Sequence, residues 1–151
     1  MPSMKRVPLA VLFLIAAALL AGTPAIARDV EVIPLLPVGD ESTASGKATL
    51  SNLDVTWANP GAMEAYYQGR VRVTCAGLTP GAMYEVWTNQ WHPGGWVLGD
   101  FQASGRGTGA AGGWVGWSVW TSPLSVLVVR VDENADGTFV YTTVLAGSFP
   151  F

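Results

Sequence analysis

The segment from Asp132 to Gly137 carries the residue pattern that best matches a chemical site in this sequence. It reads Asp-Glu-Asn-Ala-Asp-Gly, so side-chain oxygens stand at alternate positions and a glycine permits a sharp turn. Oxygen atoms in that spacing are the ligands that calcium prefers. The side chains of Asp132, Asn134 and Asp136, with the carbonyl of Thr138, therefore form a predicted calcium site. The bidentate acid of a full calcium loop is missing, and the same residue types also make a plain hairpin turn.

Tryptophan is the second residue type whose abundance has chemical meaning. The chain has seven Trp, and an indole ring either stacks on a sugar ring at a surface or fills an apolar core. Trp91 and Trp96 flank a polar turn, so these two side chains are the predicted carbohydrate-binding residues. Trp114, Trp117 and Trp120 share one predicted strand, and for most of the Trp residues we expect core packing.

The remaining motifs do not support catalysis. Residues 107–112 spell the dinucleotide-binding pattern Gly-x-Gly-x-x-Gly, but no helix is predicted after them to hold a pyrophosphate. The single His92 and the single Cys75 exclude copper sites that need several histidines, a cysteine zinc cage and an intrachain disulfide. The sequence therefore predicts no catalytic residue and no cofactor other than calcium. Four acidic residues could still pair in space as a general acid and a general base, although their spacing does not predict such a pair: Asp54, Glu64, Glu85 and Asp100.

Strand patterns account for most of the chain beyond residue 27. Short runs of β-branched and aromatic residues alternate with Gly- and Pro-containing turns, which is typical of an all-β domain. In the clearest run, Val71, Val73 and Cys75 alternate with polar residues, so one face lies in the core. About seven to eight such runs predict an immunoglobulin-like sandwich of two antiparallel sheets. The predicted strands are 28–36, 48–57 with a break near residues 51–52, 69–76, 83–88, 96–101, 114–120, 126–131 and 138–145. The side chains predicted to face inward are Val71, Val73, Cys75, Val86, Leu127, Val129, Val131, Tyr141 and Leu145.

Residues 71–87 also resemble a known kind of hairpin. They form a strand, the turn Gly-Leu-Thr-Pro-Gly and a second strand with Tyr84 and Trp87, and Gly99-Asp100-Phe101 follows them. This hairpin is similar to those of exported immunoglobulin-like domains, such as the extracytoplasmic domain of anti-sigma-K-type factors. The resemblance covers roughly half of the mature domain and implies its fold. Because this chain has neither a membrane span after residue 27 nor a cytoplasmic sigma-binding segment, the resemblance does not imply the regulatory function.

The first 27 residues have the order of a secretory signal peptide. Two basic residues precede an apolar run from Val7 to Ala21, and Ala25-Ile26-Ala27 forms a small-x-small cleavage site. The run is shorter than the roughly 20 residues that a membrane-spanning helix needs, which weighs against the alternative of an anchor. We therefore expect cleavage after Ala27 and a secreted or periplasmic mature chain. That chain is a single domain, 28–151, with flexible loops at 37–47 and 104–113 and no membrane span.

Charge narrows the possible partners. The formal net charge is −3 and the basic residues are scattered along the sequence, so no nucleic-acid partner is predicted. The leading interpretation is an exported, non-enzymatic β-sandwich that acts as an interaction or structural module of the cell envelope or exterior, with a protein or a glycan as partner. The alternative is a carbohydrate-binding module that uses exposed Trp, and an enzyme of unknown type is the third possibility.

Overall fold

A computed structural model describes residues 31–57, 65–92, 95–118 and 123–150, apart from the side chains of 55–57, 65–66, 91–92, 95 and 117–118. Eight β-strands make up all the regular secondary structure in these ranges, and every strand pairing is antiparallel. The predicted all-β domain of about eight antiparallel strands is therefore confirmed. The predicted signal peptide, 1–27, lies outside the described residues. The strands are β1 (Glu31–Pro37), β2 (Ser45–Trp57), β3 (Ala65–Ala76), β4 (Met83–His92), β5 (Gly95–Gln102), β6 (Gly109–Ser118), β7 (Leu124–Glu133) and β8 (Phe139–Phe149).

The strands form one sheet with the order β5-β4-β7-β8-β1-β2-β3-β6. Strand β1 makes the sheet continuous because it pairs with β2 through residues 31–35 and with β8 through residues 36–37. The two end strands lie against each other: a Cβ atom placed on Gly99 of β5 would be 3.4 Å from the Cβ atom of Ala111 in β6. The sheet is thus a nearly closed barrel, and its division into the two sheets of a sandwich stays a prediction.

The core lies inside this barrel and is built from alternate side chains. Five residues predicted to face inward are confirmed as members of the buried core: Val71, Val73, Cys75, Val86 and Leu145. Leu35, Leu50, Tyr84, Leu124 and Phe149 are the other large side chains that are almost fully buried there.

Strand β7 faces the opposite way from the prediction. Leu127 and Val131 are only partly buried, Tyr141 is 50 % exposed, and Val129 is buried outside the core cluster. The side chain of Val128 points inward instead. The prediction failed because every position from 126 to 129 is apolar, so the sequence offers no polar alternation there to fix the facing. Strand β8 has a β-bulge opposite Val128 and Val129, and its consecutive residues Val144 and Leu145 are both buried. Because the bulge adds one residue, Tyr141 faces outward although residue 145 faces inward.

The predicted loop 104–113 is wrong in its second half, because β6 begins at Gly109. A Cβ atom on Gly109 would overlap the ring of Phe101, and one on Gly112 would overlap the carbonyl oxygen of Val71. These glycines therefore let the backbone of β6 approach its neighbours closely, rather than making it flexible. The other predicted loop, 37–47, shortens to the connection between Pro37 and Ser45.

The predicted break in the second strand is confirmed. The pairing of β2 with β3 shifts register between Ser51 and Asp54. Asn52 has a φ of 54°, a left-handed conformation that asparagine tolerates better than most residues. The pairing of β2 with β3 resumes at Asp54 and continues to residue 57.

Candidate functional site

A polar network lies where the connection 38–44 meets the start of β4 and the end of β7. The carboxylate of Glu41 accepts hydrogen bonds from Arg130 Nη1 at 2.7 Å and from the hydroxyl groups of Tyr84 and Thr79 at 3.0 Å each. The Tyr84 hydroxyl in turn accepts a bond from the backbone N–H of Thr79 at 3.0 Å. Hydrogen bonds to Asp132 and Glu41 raise the pKa of Arg130, so this guanidinium remains charged at all ordinary pH values. The network therefore links the connection 38–44 to both β4 and β7.

The predicted calcium ligands lie in and beside the turn between β7 and β8. Asp136 accepts hydrogen bonds from the backbone N–H of Thr138 at 3.0 Å and from its hydroxyl at 2.6 Å, and Asn134 donates to the same hydroxyl at 2.9 Å. The bonds from Thr138 lower the pKa of Asp136. The carboxylate of Asp132 accepts a 2.8 Å bond from Arg130 Nε instead. Calcium binding stays a prediction, and an ion would have to replace these bonds.

The described residues contain neither a cluster of metal-ligating side chains nor a reactive thiol. Within the described ranges, no group of three or more His, Cys, Asp or Glu side chains is placed to hold a metal ion. The thiol of Cys75 is buried in the core, and this burial raises its pKa to about 12. It therefore remains protonated and packs as an apolar group rather than as a nucleophile.

The outer surface of β4, β5, β7 and β8 is apolar and aromatic, and we name it the aromatic face. The rings of Trp87 on β4 and Tyr141 on β8 lie 5.5 Å apart on this surface, at an angle of 53°. The indole N–H of Trp87 donates a 2.6 Å hydrogen bond to Glu85, which fixes the ring. Phe139 is 53 % exposed beside them. The residues of the aromatic face are Met83, Trp87, Val97, Val131, Phe139 and Tyr141.

A shallow depression of about 250 Å³ lies in the aromatic face. Its apolar wall includes Met83, Val97 and Phe139, and its acidic rim is formed by Glu85 and Asp100. These two acids are directly opposite each other in the pairing of β4 with β5. Of the four acids considered as pairs from the sequence, the structure thus brings two together, while Glu64 lies outside the described residues. The result is an apolar hollow with negative charge on one side.

The predicted sugar-binding Trp residues lie in the hairpin formed by β4 and β5. Trp96 is 49 % exposed, which leaves its ring available to a ligand. Trp91 belongs to the end of β4, but its side chain lies outside the described residues. Trp114, which was not among the predicted sugar-binding residues, is 61 % exposed on β6.

The outer surface of β2, β3 and β6 is basic, and we name it the basic face. Arg70 and Arg72 alternate with buried residues on β3, and both are exposed. Strand pairing places Trp114 of β6 opposite Arg70, and Lys47 of β2 opposite Thr74. Sequence reasoning missed this cluster because Lys47 is distant along the chain, although the spacing of two between the arginines was a visible signal.

Comparisons with known proteins do not assign the chain to a family. No family model matches it, and no curated protein matches it either. The described ranges hold no helix of the length and apolar character that crossing a membrane requires.

Proposed function

We propose that the mature chain is an exported, non-enzymatic interaction module that binds a protein partner through the aromatic face. The observation that carries this proposal is the exposure of Phe139 and Tyr141, 53 % and 50 % respectively, on the outer surface of β8. The core of the domain is complete without these rings. Clustered apolar side chains that remain exposed are typical of interaction sites, and aromatic residues are enriched there.

The charge around the aromatic face indicates the chemistry of the partner. Asp100 is exposed and Glu85 is only partly buried, so the depression between Met83 and Phe139 has an acidic rim. A partner that fills the depression with an apolar side chain and presents Lys or Arg beside it would satisfy both features. We therefore expect the partner segment to be apolar and basic.

The strand pairing supports an immunoglobulin-like assignment of the fold. The pairings β3–β6, β4–β7 and β7–β8 follow the neighbour relations of strands B–E, C–F and F–G in that fold. The hydrogen bond between the Tyr84 hydroxyl and the backbone of Thr79 does not add to this support, because Tyr84 lies on β4, the counterpart of strand C, whereas the tyrosine corner of such domains lies on strand F. Export is supported by the signal-peptide pattern of residues 1–27.

Site-specific photocrosslinking in the native cells tests the binding proposal. Phe139 is replaced by the benzophenone derivative of phenylalanine, and a matched variant carries the same group at Arg106, in the turn on another surface. We expect a discrete crosslinked product from position 139 that is absent from position 106. The product should fall at least about threefold when Asp100→Lys is added, because charge reversal repels a basic partner. Equal products from both positions, or a product with twice the mass of the chain, would contradict a specific heterologous partner.

Carbohydrate binding is the second candidate, and the exposed ring of Trp96 favours it. A sugar that stacks on this ring would alter Trp fluorescence on titration. We expect the change with a binding glycan to disappear in Trp96→Ala or Trp91→Ala and to persist in Trp114→Ala. A panel of soluble glycans that leaves the fluorescence unchanged would exclude this hairpin as the sugar site.

A further inference from the structure

We propose that the basic face is a binding site for an anionic polysaccharide, with Trp114 stacking on a sugar ring and Arg70, Arg72 and Lys47 binding its carboxylate or sulfate groups. The site lies on β2, β3 and β6, away from both the aromatic face and the β4–β5 hairpin. It therefore goes beyond the proposed protein partner, and either proposal can fail without the other.

Strand pairing places Trp114, the two arginines and Lys47 in three successive rows across β6, β3 and β2. Trp114 is opposite Arg70, and Gly112 is opposite Arg72 in the next outward-facing row. Lys47 lies one row further, opposite Thr74. From the first row to the last is four residues of β3, or about 14 Å along the strand. The charges are thus spaced along a track that a chain-like ligand can follow.

The cations of this track are not paired with any carboxylate among the described residues. The described part of the chain has five Lys and Arg residues, and of these Arg130 is paired with two carboxylates. Neither Lys47, Arg70 nor Arg72 forms an ion pair with a described carboxylate. Three of the five described cations therefore share one surface of a chain whose net charge is negative. An anion that binds here gains charge-assisted hydrogen bonds without breaking existing ion pairs.

Asp54 is the acid on this face, and its position limits where the ligand can bind. It lies opposite Gln68, one row beyond Trp114 and Arg70 and at the far end from Lys47. The row of Arg72 and the row of Lys47 contain no acid on the described strands: their other members are Val32, Pro34, Thr49, Thr74, Gly112 and Ala110. We therefore place the anionic groups of the ligand between Arg70 and Lys47.

The surface along this track has shallow depressions that are lined in part by small residues. A depression of about 150 Å³ is bounded by Arg70 and Arg72 and floored by Ala110 and Gly112. A second depression, of about 290 Å³, continues past Lys47 and Thr74 toward the end of β3. The first is smaller than pockets that enclose a whole small molecule, so it suits one group of a longer ligand. A glycine is required at 112, where a Cβ atom would collide with the backbone of β3.

Among anionic polymers, a polysaccharide fits these features better than a nucleic acid or a lipid surface. A net charge of −3 repels the dense charge of a nucleic acid, whereas three cations spread over about 14 Å match the lower charge density of a polymer with one carboxylate or sulfate group per sugar. The exposed indole of Trp114 beside small residues offers a flat apolar platform for a pyranose ring. A membrane site would need several apolar side chains at its rim, whereas the larger apolar residues in the rows of Arg72 and Lys47 are Val32, which is 54 % exposed, and Pro34.

Binding of alginate, a polymer of uronic acids, to the purified protein tests this proposal, with dextran as the neutral polymer. We expect alginate to bind and dextran not to bind. The double variant Arg70→Gln/Arg72→Gln should weaken alginate binding at least about tenfold, and Trp114→Ala about fivefold. Increasing the salt concentration from 50 to 300 mM should weaken it several-fold, because the contacts are exposed charges. Thermal melts of each variant establish that it is folded.

The control is Arg106→Gln, which removes an exposed cation from a turn outside the basic face. It should leave alginate binding within about twofold of the original. Equal weakening by this variant, or no effect of Trp114→Ala, would overturn the site because binding would then follow net charge alone. Duplex DNA or vesicles containing phosphatidylglycerol that bind as tightly as alginate would overturn the choice of a polysaccharide.

Discussion

The guanidinium of Arg130 lies 2.7 Å from the carboxylate of Glu41, although 89 residues separate them along the chain. This ion pair ties the connection between β1 and β2 to the inner side of β7. Only 9 % of the Glu41 side chain and 26 % of the Arg130 side chain are exposed, so both charges are largely removed from water. The same carboxylate satisfies the hydroxyl of Tyr84, which is fully buried.

We expect Glu41→Ala to be among the most destabilising single changes outside the apolar core. It leaves the half-buried Arg130 with Asp132 alone and leaves the Tyr84 hydroxyl without its acceptor, at a cost of about 2–4 kcal/mol. Urea unfolding gives the free energy directly. Asp132→Ala is the control: it removes the more exposed partner of the same guanidinium and should cost about 1 kcal/mol or less. Equal losses in the two variants would show that Glu41 has no special role.

The buried thiol of Cys75 makes stability depend on alkaline pH. Burial raises the pKa of this thiol from 9.0 to about 12, so the unfolded chain loses the proton before the folded chain does. The folded state is then the one that binds more protons between pH 9 and 12, and stability falls as the pH rises, by up to about 1.4 kcal/mol per pH unit. Stability measured in urea at pH 8, 9 and 10 should show this slope. The slope should be smaller in Cys75→Ala, and identical slopes would mean that the thiol titrates normally in the fold.

The facing of β7 predicts different costs for two identical substitutions. Val128 is completely buried inside the barrel and Val131 is only partly buried on the outer surface. Val128→Ala should cost about 1–3 kcal/mol in the free energy of unfolding, because it leaves a cavity. Val131→Ala should cost less than about 1 kcal/mol. Chemical denaturation measures both, and the reverse ranking would restore the facing expected from the sequence.

The facing of β3 and that of β7 differ in how well the sequence specifies them. Along β3, Arg70, Arg72 and Thr74 separate the apolar residues, so alternation alone places Val71 and Val73 correctly. Along β7, residues 126–129 are all apolar, and the next polar residue, Arg130, lies on the inner side, where it pairs with Glu41. Polar alternation therefore indicates the wrong face, and only the pairing with neighbouring strands decides the facing.

Long-range pairing is also what the candidate sites depend on. The turn predicted at 132–137 could be located from sequence because its residues are consecutive; in the structure β7 extends to Glu133 and the turn occupies 134–138. The basic face could not, because it requires the pairing of Lys47 with Thr74 and of Arg70 with Trp114. The same holds for the opposed acids on β4 and β5. Register between strands is fixed by the whole core rather than by local spacing.

Export predicts a defined start of the mature protein. The small residues Ala25 and Ala27 mark the cleavage site, so the secreted chain should begin at Arg28. Intact-mass measurement of protein recovered outside the cytoplasm of a bacterial host checks this. Material that retains Met1 would contradict cleavage, and Ala27→Tyr should block processing in the matched control because the site requires a small residue.

The last prediction is that the turn after β7 binds calcium weakly. Asp136 and Asn134 are held by Thr138, and Asp132 is held by Arg130, so an ion must compete with hydrogen bonds that already exist. With two carboxylates and no bidentate acid, the expected dissociation constant is roughly 10⁻⁴–10⁻³ M. At a few millimolar calcium, mass action then adds about 1 kcal/mol of stability and raises the Tm by roughly 3–5 °C. Thermal melts in calcium and in chelator measure this difference, which should vanish in Asp136→Asn while magnesium has little effect on either protein. Melts that are identical in calcium and in chelator would mean that the side chains of Asp132, Asn134 and Asp136 serve the hairpin alone.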